Sequence, residues 1–226
     1  MSVSQTISSA PAASDGGRKL LRYTFSERVN HWISALTYTY CLVTGLAFWS
    51  PYLFWMATIV GGGPTARFWH PWFGLVFMIS VCVMYQAWRV DMRITAADVA
   101  WKKAIGHYIT NEDEKLPPIG RFNYGQKIYF WLIFYGAIVL VISGVGLWFV
   151  ESIPWSLRWL RYLAVFLHVS AGLATIGGFI IHVYMGTAMV RGGFTSIMRG
   201  HVSAAWARAH HRLWYEQITG QKAPRN

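Results

Sequence analysis

The chain has 226 residues, 54% of them hydrophobic and 13% charged, with 13 tryptophans and a mean hydropathy of +0.32. That apolarity exceeds what a water-soluble domain carries and sets a membrane class. The formal net charge of +11 does not signal nucleic-acid binding, because no basic soluble recognition module accompanies it.

The first 17 residues are rich in Ser and Ala, contain no Lys or Arg and have no apolar core. They match neither a signal peptide nor an anchor, and residues 1–20 are expected to form a disordered extension. Apolar stretches follow at roughly 31–52, 69–88, 128–150 and 159–190, each reaching the roughly 20 residues a helix needs to cross a bilayer. The expected fold is an all-α membrane protein, a four-transmembrane-helix bundle over residues 21–192. A β-barrel would alternate apolar and polar residues, and the run 132–142 does not.

Between the first two stretches, Gly61, Gly62, Gly63 and Pro64 break any helix and turn the chain back. Pro71 suits a first-turn position in the second helix. In the connecting loop 90–126, residues 95–109 set Val99, Trp101, Ile105 and Ile109 among lysines, the pattern of a short helix lying in the membrane interface. Residues 111–120 then read as a loop that ends in Pro117 and Pro118. The tail 193–226 interleaves basic residues with Trp206, Trp214 and Tyr215, as an amphipathic appendage resting on lipid or on a partner would. Cys41 and Cys82 fall inside spans as small apolar packers, not as a disulfide or a metal site.

Charge supplies the orientation. Of the 20 Lys and Arg, all but Arg67, Arg158 and Arg161 lie before the first span, between the second and third, or after the fourth. The positive-inside rule therefore puts both termini and the middle loop in the cytoplasm. The basic ends also suit anionic headgroups. Trp32, Trp69, Trp148 and Trp155 sit near span ends as interfacial anchors.

Four of the eight histidines, His31, His70, His168 and His182, lie in or at the ends of spans. Ionisable groups there are rare and mark a pathway or a ligand site. His168 and His182 are fourteen residues apart, about 40° short of four full turns, so both share a face about 21 Å apart along the axis. His31 opens the first span at the inner edge, and His70 opens the second at the outer edge. Depths then match in pairs, His31 with His182 inside and His70 with His168 outside. Two facing imidazoles at one depth are what a low-spin haem iron takes as axial ligands, and two pairs make a two-haem wire.

Glycines support this, since a porphyrin against a helix needs the near side chain removed. Gly45 follows His31 by fourteen residues, while Gly74, Gly172 and Gly178 each stand four residues from a histidine. Small-residue helix contact is the competing reading, above all for Gly144 and Gly146. His107, His201, His210 and His211 lie in charged segments and are expected to be solvated. Asn123 and Gln126 bring amides to the mouth of the third span, either as a helix cap or as part of a binding site.

The segments Arg28-Val29-Asn30-His31-Trp32, His70-Pro71-Trp72-Phe73-Gly74, Phe122-Asn123-Tyr124-Gly125-Gln126-Lys127, His168-Val169-Ser170-Ala171-Gly172 and His182-Val183-Tyr184-Met185 resemble the membrane gamma subunit of respiratory formate dehydrogenases. The tail from Trp206 through His210-His211-Arg212-Leu213-Trp214-Tyr215 is similar too, so the likeness covers about residues 21–218. The resemblance implies a di-haem cytochrome b of the bacterial inner membrane, a subunit and not a self-sufficient enzyme. It implies an inner haem on His31 and His182, an outer haem on His70 and His168, and a quinone, menaquinone or ubiquinone, reduced near Asn123, Gly125 and Gln126. The implied partners are an iron-sulfur beta subunit and a molybdenum or tungsten alpha subunit that oxidises formate, in a complex that could assemble further.

The nearest alternative is the cytochrome b of a nickel-iron hydrogenase or of another molybdenum oxidoreductase such as thiosulfate reductase, which the same histidines would serve. A non-redox transporter would need acidic residues along a path between helices, and the spans hold almost none. A structural anchor would not need the histidines. Arg28, Arg67 and Arg161 stand at depths suited to haem propionates.

Overall fold

A computed structural model of the chain describes residues 18–110, 112 and 115–223; the rest of the expected extension and of the 111–120 loop lies outside the described residues. In chain order the elements are β1 (Lys19–Leu21), α1 (Phe25–Trp49), α2 (Met56–Ile59), α3 (Gly63–Trp88), α4 (Ala96–Lys103), α5 (Ile105–Ile109), α6 (Tyr124–Trp148), α7 (Trp159–Tyr184), α8 (Gly193–Arg199), β2 (His201–Ser203), α9 (Ala204–His210) and α10 (Arg212–Thr219). The four long helices form the body. Their largest contacts pair α1 with α3 and α6 with α7, and α3 against α6 joins the two pairs.

Three of them, α3, α6 and α7 with its continuation to Met189, are long and apolar enough to cross a bilayer. Helix α1 is equally long but diluted by hydroxyl residues. Its threonine hydroxyls are satisfied within the helix: Thr37 Oγ1 donates to Ile33 O at 2.7 Å, Thr39 to Ala35 O at 2.7 Å and Thr44 to Tyr40 O at 2.8 Å. Such back-bonding lets threonine sit in an apolar setting without an orphaned group. Leu36, Ile79, Val83, Ile142, Phe166 and Ile180 are exposed on the bundle's outside, as a surface meant for lipid would be.

Two helix starts differ from the expected ones. Thr24 and Glu27 form a capping box, with Thr24 N donating to Glu27 Oε2 at 2.7 Å, so α1 begins at Phe25 and His31 lies inside it. The turn before α3 uses Gly61 (φ 95°) and Gly62 (φ 93°), backbone that only glycine adopts without strain. Helix α3 therefore starts at Gly63, Pro64 takes the first-turn position, and Pro71 is internal. His70 is likewise well inside its helix.

The two ends of the four-helix body meet. Strand β1 pairs antiparallel with β2 in the register Lys19↔Ser203, Leu20↔Val202 and Leu21↔His201, so the entry to α1 and the exit from α7 share one end of the bundle. Lys19 and Leu20, expected in the extension, thus belong to a sheet. The tail is not a loose appendage either, because Trp214 and Tyr215 are buried with Leu20 and Val202 in one apolar cluster. Trp101, expected at the lipid interface, is 1% exposed.

Arg121 ties this end together, pairing with Glu27 at 2.8 Å and Asp91 at 3.1 Å and donating to Arg22 O at 2.7 Å. Trp88 Nε1 donates to Glu27 as well. Of the two cysteines expected to pack inside spans, Cys41 is half-buried and Cys82 is exposed, both as free thiols.

Candidate haem-binding site

The four span histidines come together in the pairs that their depth predicts. His31 of α1 and His182 of α7 have ring centroids 6.2 Å apart with planes tilted 48°. His70 of α3 and His168 of α7 are also 6.2 Å apart, tilted 56°. Two metal–nitrogen bonds of about 2.0 Å each, plus the radii of two imidazoles, give about 6 Å, so each separation is one that a single metal ion between the rings would fit. Among the described residues no cluster of three or more His, Cys, Asp or Glu could hold a bare metal ion. Two facing imidazoles with no further side-chain ligand beside them fit a haem, whose macrocycle would supply the remaining donors.

Each ring of the His70–His168 pair has a hydroxyl behind it. Thr44 Oγ1 lies 2.6 Å from His70 Nδ1, and Ser143 Oγ lies 3.0 Å from His168 Nδ1. The next residue in each case clears the ring: a Cβ on Gly45 would stand 3.6 Å from His70 Cε1, and one on Gly144 would stand 3.2 Å from His168 Cε1. Helix α1 thus seats the histidine of α3, and α6 seats that of α7, each with a hydroxyl residue followed by glycine.

The inner pair is built differently. His31 Nδ1 is buried without a hydrogen-bond partner among the described residues. His182 stacks on Tyr129 of α6, with centroids 4.4 Å apart and planes 9° from parallel. Helix α7 passes into a π turn, Met185–Met189, directly after this histidine, a local widening common at functional sites.

A cavity of about 810 Å³ opens from His31 and His182 toward the shared end of the bundle, and its walls include Tyr129, Asn123, Gln126 and His211. It does not reach the outer pair. Asn123 and Gln126 cap α6 reciprocally, with Asn123 Oδ1 accepting from Gln126 N at 2.9 Å and Gln126 Oε1 accepting from Asn123 N at 3.0 Å. The cap engages both amide oxygens, while Asn123 Nδ2 donates to Tyr108 Oη at 3.5 Å at the cavity wall, so capping and binding through the remaining N–H groups are compatible. Gly125 follows in the first turn, where a Cβ would meet only Asn123 Oδ1 at 3.5 Å.

The glycines divide. At Gly74 and Gly172 a Cβ would meet nothing within 4 Å, the open flank a flat macrocycle requires. Gly178 differs from expectation: a Cβ there would come within 2.6 Å of Leu132 Cδ2, so it serves the α6–α7 contact. Gly45 differs as well, since its absent side chain makes room for the His70 ring. Gly146 packs on Ala164 as a small-residue helix contact does.

Of the arginines, Arg28 donates to Met198 O at 2.6 Å and keeps a buried Nε without a partner among the described residues; Arg161 donates to Ile153 O and keeps one likewise. Arg67 is exposed.

His211, expected in solvent, is 4% exposed. Its Nδ1–H donates to Gly120 O at 2.8 Å, and its Nε2 accepts from Arg22 at 3.0 Å. Burial, and then the neighbouring Arg22 charge, push its pKa well below the usual histidine range. Arg22 itself lies over the Trp206 and Trp214 rings at 4.9 and 5.3 Å.

The chain is similar to known bacterial cytochromes. The sequence is 34% identical over 200 residues to the formate dehydrogenase cytochrome b556(fdo) subunit of Escherichia coli K12, covering 88% of this chain and 93% of that one. It is 28% identical over 209 residues to the nitrate-inducible formate dehydrogenase cytochrome b556(Fdn) subunit of the same strain, covering 91% and 94%. It is also 28% identical over 202 residues to the formate dehydrogenase cytochrome b556 subunit of Haemophilus influenzae, covering 88% and 83%. Residues 22–200, which hold all four span histidines and both hydroxyl–glycine seats, match the family described as prokaryotic cytochrome b561, and to that family this chain belongs.

Proposed function

We propose that this chain is the di-haem cytochrome b subunit of a formate dehydrogenase, spanning the bacterial inner membrane with four helices and both termini cytoplasmic. In this reading an iron-sulfur subunit delivers electrons at the outer end, a molybdenum or tungsten subunit oxidises formate, and a quinone is reduced near the inner end. The observation that carries it is the repetition of one iron-spanning separation, 6.2 Å, at two depths. The names of the relatives favour formate as the upstream substrate over hydrogen.

When bound, haem b supplies one-electron iron chemistry at each pair. The chain's own residues do the rest. His70 and His168 hold the outer group, His31 and His182 the inner, and Gly74 and Gly172 leave a flat flank beside them. Gly178 and Gly45 are assigned to helix and ring packing. Asn123 and Gln126 offer amide N–H donors to a quinone carbonyl in the cavity that begins at His182. Gly125, lacking a side chain, lets the ring approach the first turn of α6. Protons taken up from the basic end while electrons arrive from the other would separate charge without moving a proton across the membrane.

The test is haem content. Purified in its complex, the wild-type subunit should show two b-type haems per chain in the reduced-minus-oxidised spectrum and by haem extraction. A chain without haem would overturn the proposal.

A further inference from the structure

The two histidine pairs are not equivalent, and the difference lies in Thr44 and Ser143. Each hydroxyl has a single proton, and in both cases a carbonyl of its own helix takes it. Thr44 Oγ1 donates to Tyr40 O at 2.8 Å, and Ser143 Oγ donates to Val139 O at 2.6 Å. Each oxygen can then only accept from the imidazole, so His70 and His168 carry their protons on Nδ1 and present a bare Nε2 to the space between the rings. Both seats are fixed: Thr44 is fully buried and Ser143 is 4% exposed. At the inner pair His31 Nδ1 has no acceptor, and His182 is steadied by stacking on Tyr129; among the described residues neither ring has a hydroxyl seat.

An imidazole that donates from its far nitrogen is a stronger electron donor to a metal, because the hydrogen bond builds negative character on the ring. Stronger donation favours the oxidised iron, so the pair with hydroxyl acceptors has the lower potential. Charge acts in the same direction. Arg22 and Arg208 line the cavity that opens from the inner pair, and positive charge favours the reduced form.

We infer that Thr44 and Ser143 are positioning residues that lock His70 and His168 into the Nδ1–H tautomer and make the outer haem the lower-potential one, so that electron flow toward the inner pair runs downhill. This rests on the two-haem reading above.

The test is spectroelectrochemistry on the intact complex, resolving the two haem midpoints. In Thr44→Val, which keeps the shape and removes the acceptor, the lower midpoint rises while the higher one stays. Ser143→Ala does the same from the opposite ligand, and Thr44→Ser restores the wild-type value. Thr58→Val, which removes an exposed hydroxyl of α2 that bonds only its own helix entry at Trp55 O, leaves both midpoints unchanged.

If Thr44→Val loses one haem, Ser143→Ala reads the same component. Two bound haems with unshifted midpoints in Thr44→Val and Ser143→Ala overturn this inference and leave the two-haem reading standing. A shift confined to the higher midpoint overturns the ordering. Absence of haem from the wild type overturns the reading beneath it.

Discussion

Lys127 Nζ lies 2.7 Å from Asp98 Oδ2, with the two side chains 6% and 2% exposed. The ammonium also donates to Arg93 O at 2.9 Å, and the carboxylate accepts from Thr95 N and Oγ1 at 2.7 Å each. Burial would raise the Asp98 pKa, but hydrogen bonds from Lys127 and Thr95 outweigh it and hold the carboxyl below its usual range. The pair clamps α4 onto the first turn of α6, the turn that carries Gln126. Asp98→Asn should therefore cost about 3–5 kcal/mol, because it strands a buried ammonium. Replacing both partners, with Asp98→Leu and Lys127→Met, should recover most of that loss. Denaturation of the purified complex in detergent checks both; a double variant no better than the single would contradict it.

The pairing of histidines makes its own prediction. His31→Ala and His182→Ala should remove the same spectral component, and His70→Ala and His168→Ala the other, each variant losing about half of the haem. In the inner variants quinone reduction should stop while the outer haem still takes electrons from dithionite. If His31→Ala and His70→Ala removed the same component, the pairing would be wrong.

Asn123 and Gln126 combine a cap with a cavity wall, and two substitutions separate the roles. Asn123→Asp keeps an N-cap acceptor while removing the amide donor, so stability should hold and quinone reduction should fall. Gln126→Leu removes both the donor and its half of the box, at about 1 kcal/mol of stability. Loss of one hydrogen bond to a carbonyl corresponds to roughly tenfold in kcat/KM for a quinone analogue. Haem content at the wild-type level with unchanged turnover in both variants would place the quinone elsewhere.

The depth and facing of the histidines were readable from the sequence, because 100° per residue and the order of the spans leave little freedom for His168 and His182. Helix ends were not, since Thr24 and Glu27 lie outside the apolar run that defines a span. Gly178 was misread for a related reason: four residues from His182 marks a helix face, yet whether α6 or a macrocycle covers that face is a tertiary fact. The repeated hydroxyl–glycine dipeptides, Thr44-Gly45 and Ser143-Gly144, were visible as letters. They gain meaning only when α1 is set against α3 and α6 against α7. The burial of His211 depends on Arg22 and Gly120, far away in sequence, and no local pattern announces it.

His211 supplies a pH dependence whose sign can be worked out. The folded state holds it neutral, accepting from Arg22 and donating to Gly120, with its pKa well below 6.5. The unfolded chain binds a proton near pH 6.5, so as pH falls below that value the unfolded state gains protons and stability declines. Melting temperature should therefore drop between pH 7.5 and 5.5 in wild type, and drop less in His211→Gln. Equal slopes would show that another group controls the effect.

Two glycines of the α6–α7 contact should respond differently to alanine. A Cβ at Gly136 would stand 2.5 Å from Thr175 Cγ2, and Thr175 is β-branched, 1% exposed and tied by its hydroxyl to Gly172 O at 2.9 Å. It cannot rotate aside, so the helices must part, and Gly136→Ala should cost about 1–3 kcal/mol. A Cβ at Gly178 would meet Leu132 Cδ2 at 2.6 Å, the end of a flexible side chain that can turn away, and the edge of the Tyr129 ring at 3.3 Å, which need give by only a few tenths of an ångström. Alanine is also the better helix former by about 1 kcal/mol, so Gly178→Ala should be close to neutral. Thermal unfolding of the two variants, with haem content followed in parallel, separates them; a Gly136→Ala protein as stable as wild type would mean the contact is looser than Thr175 implies.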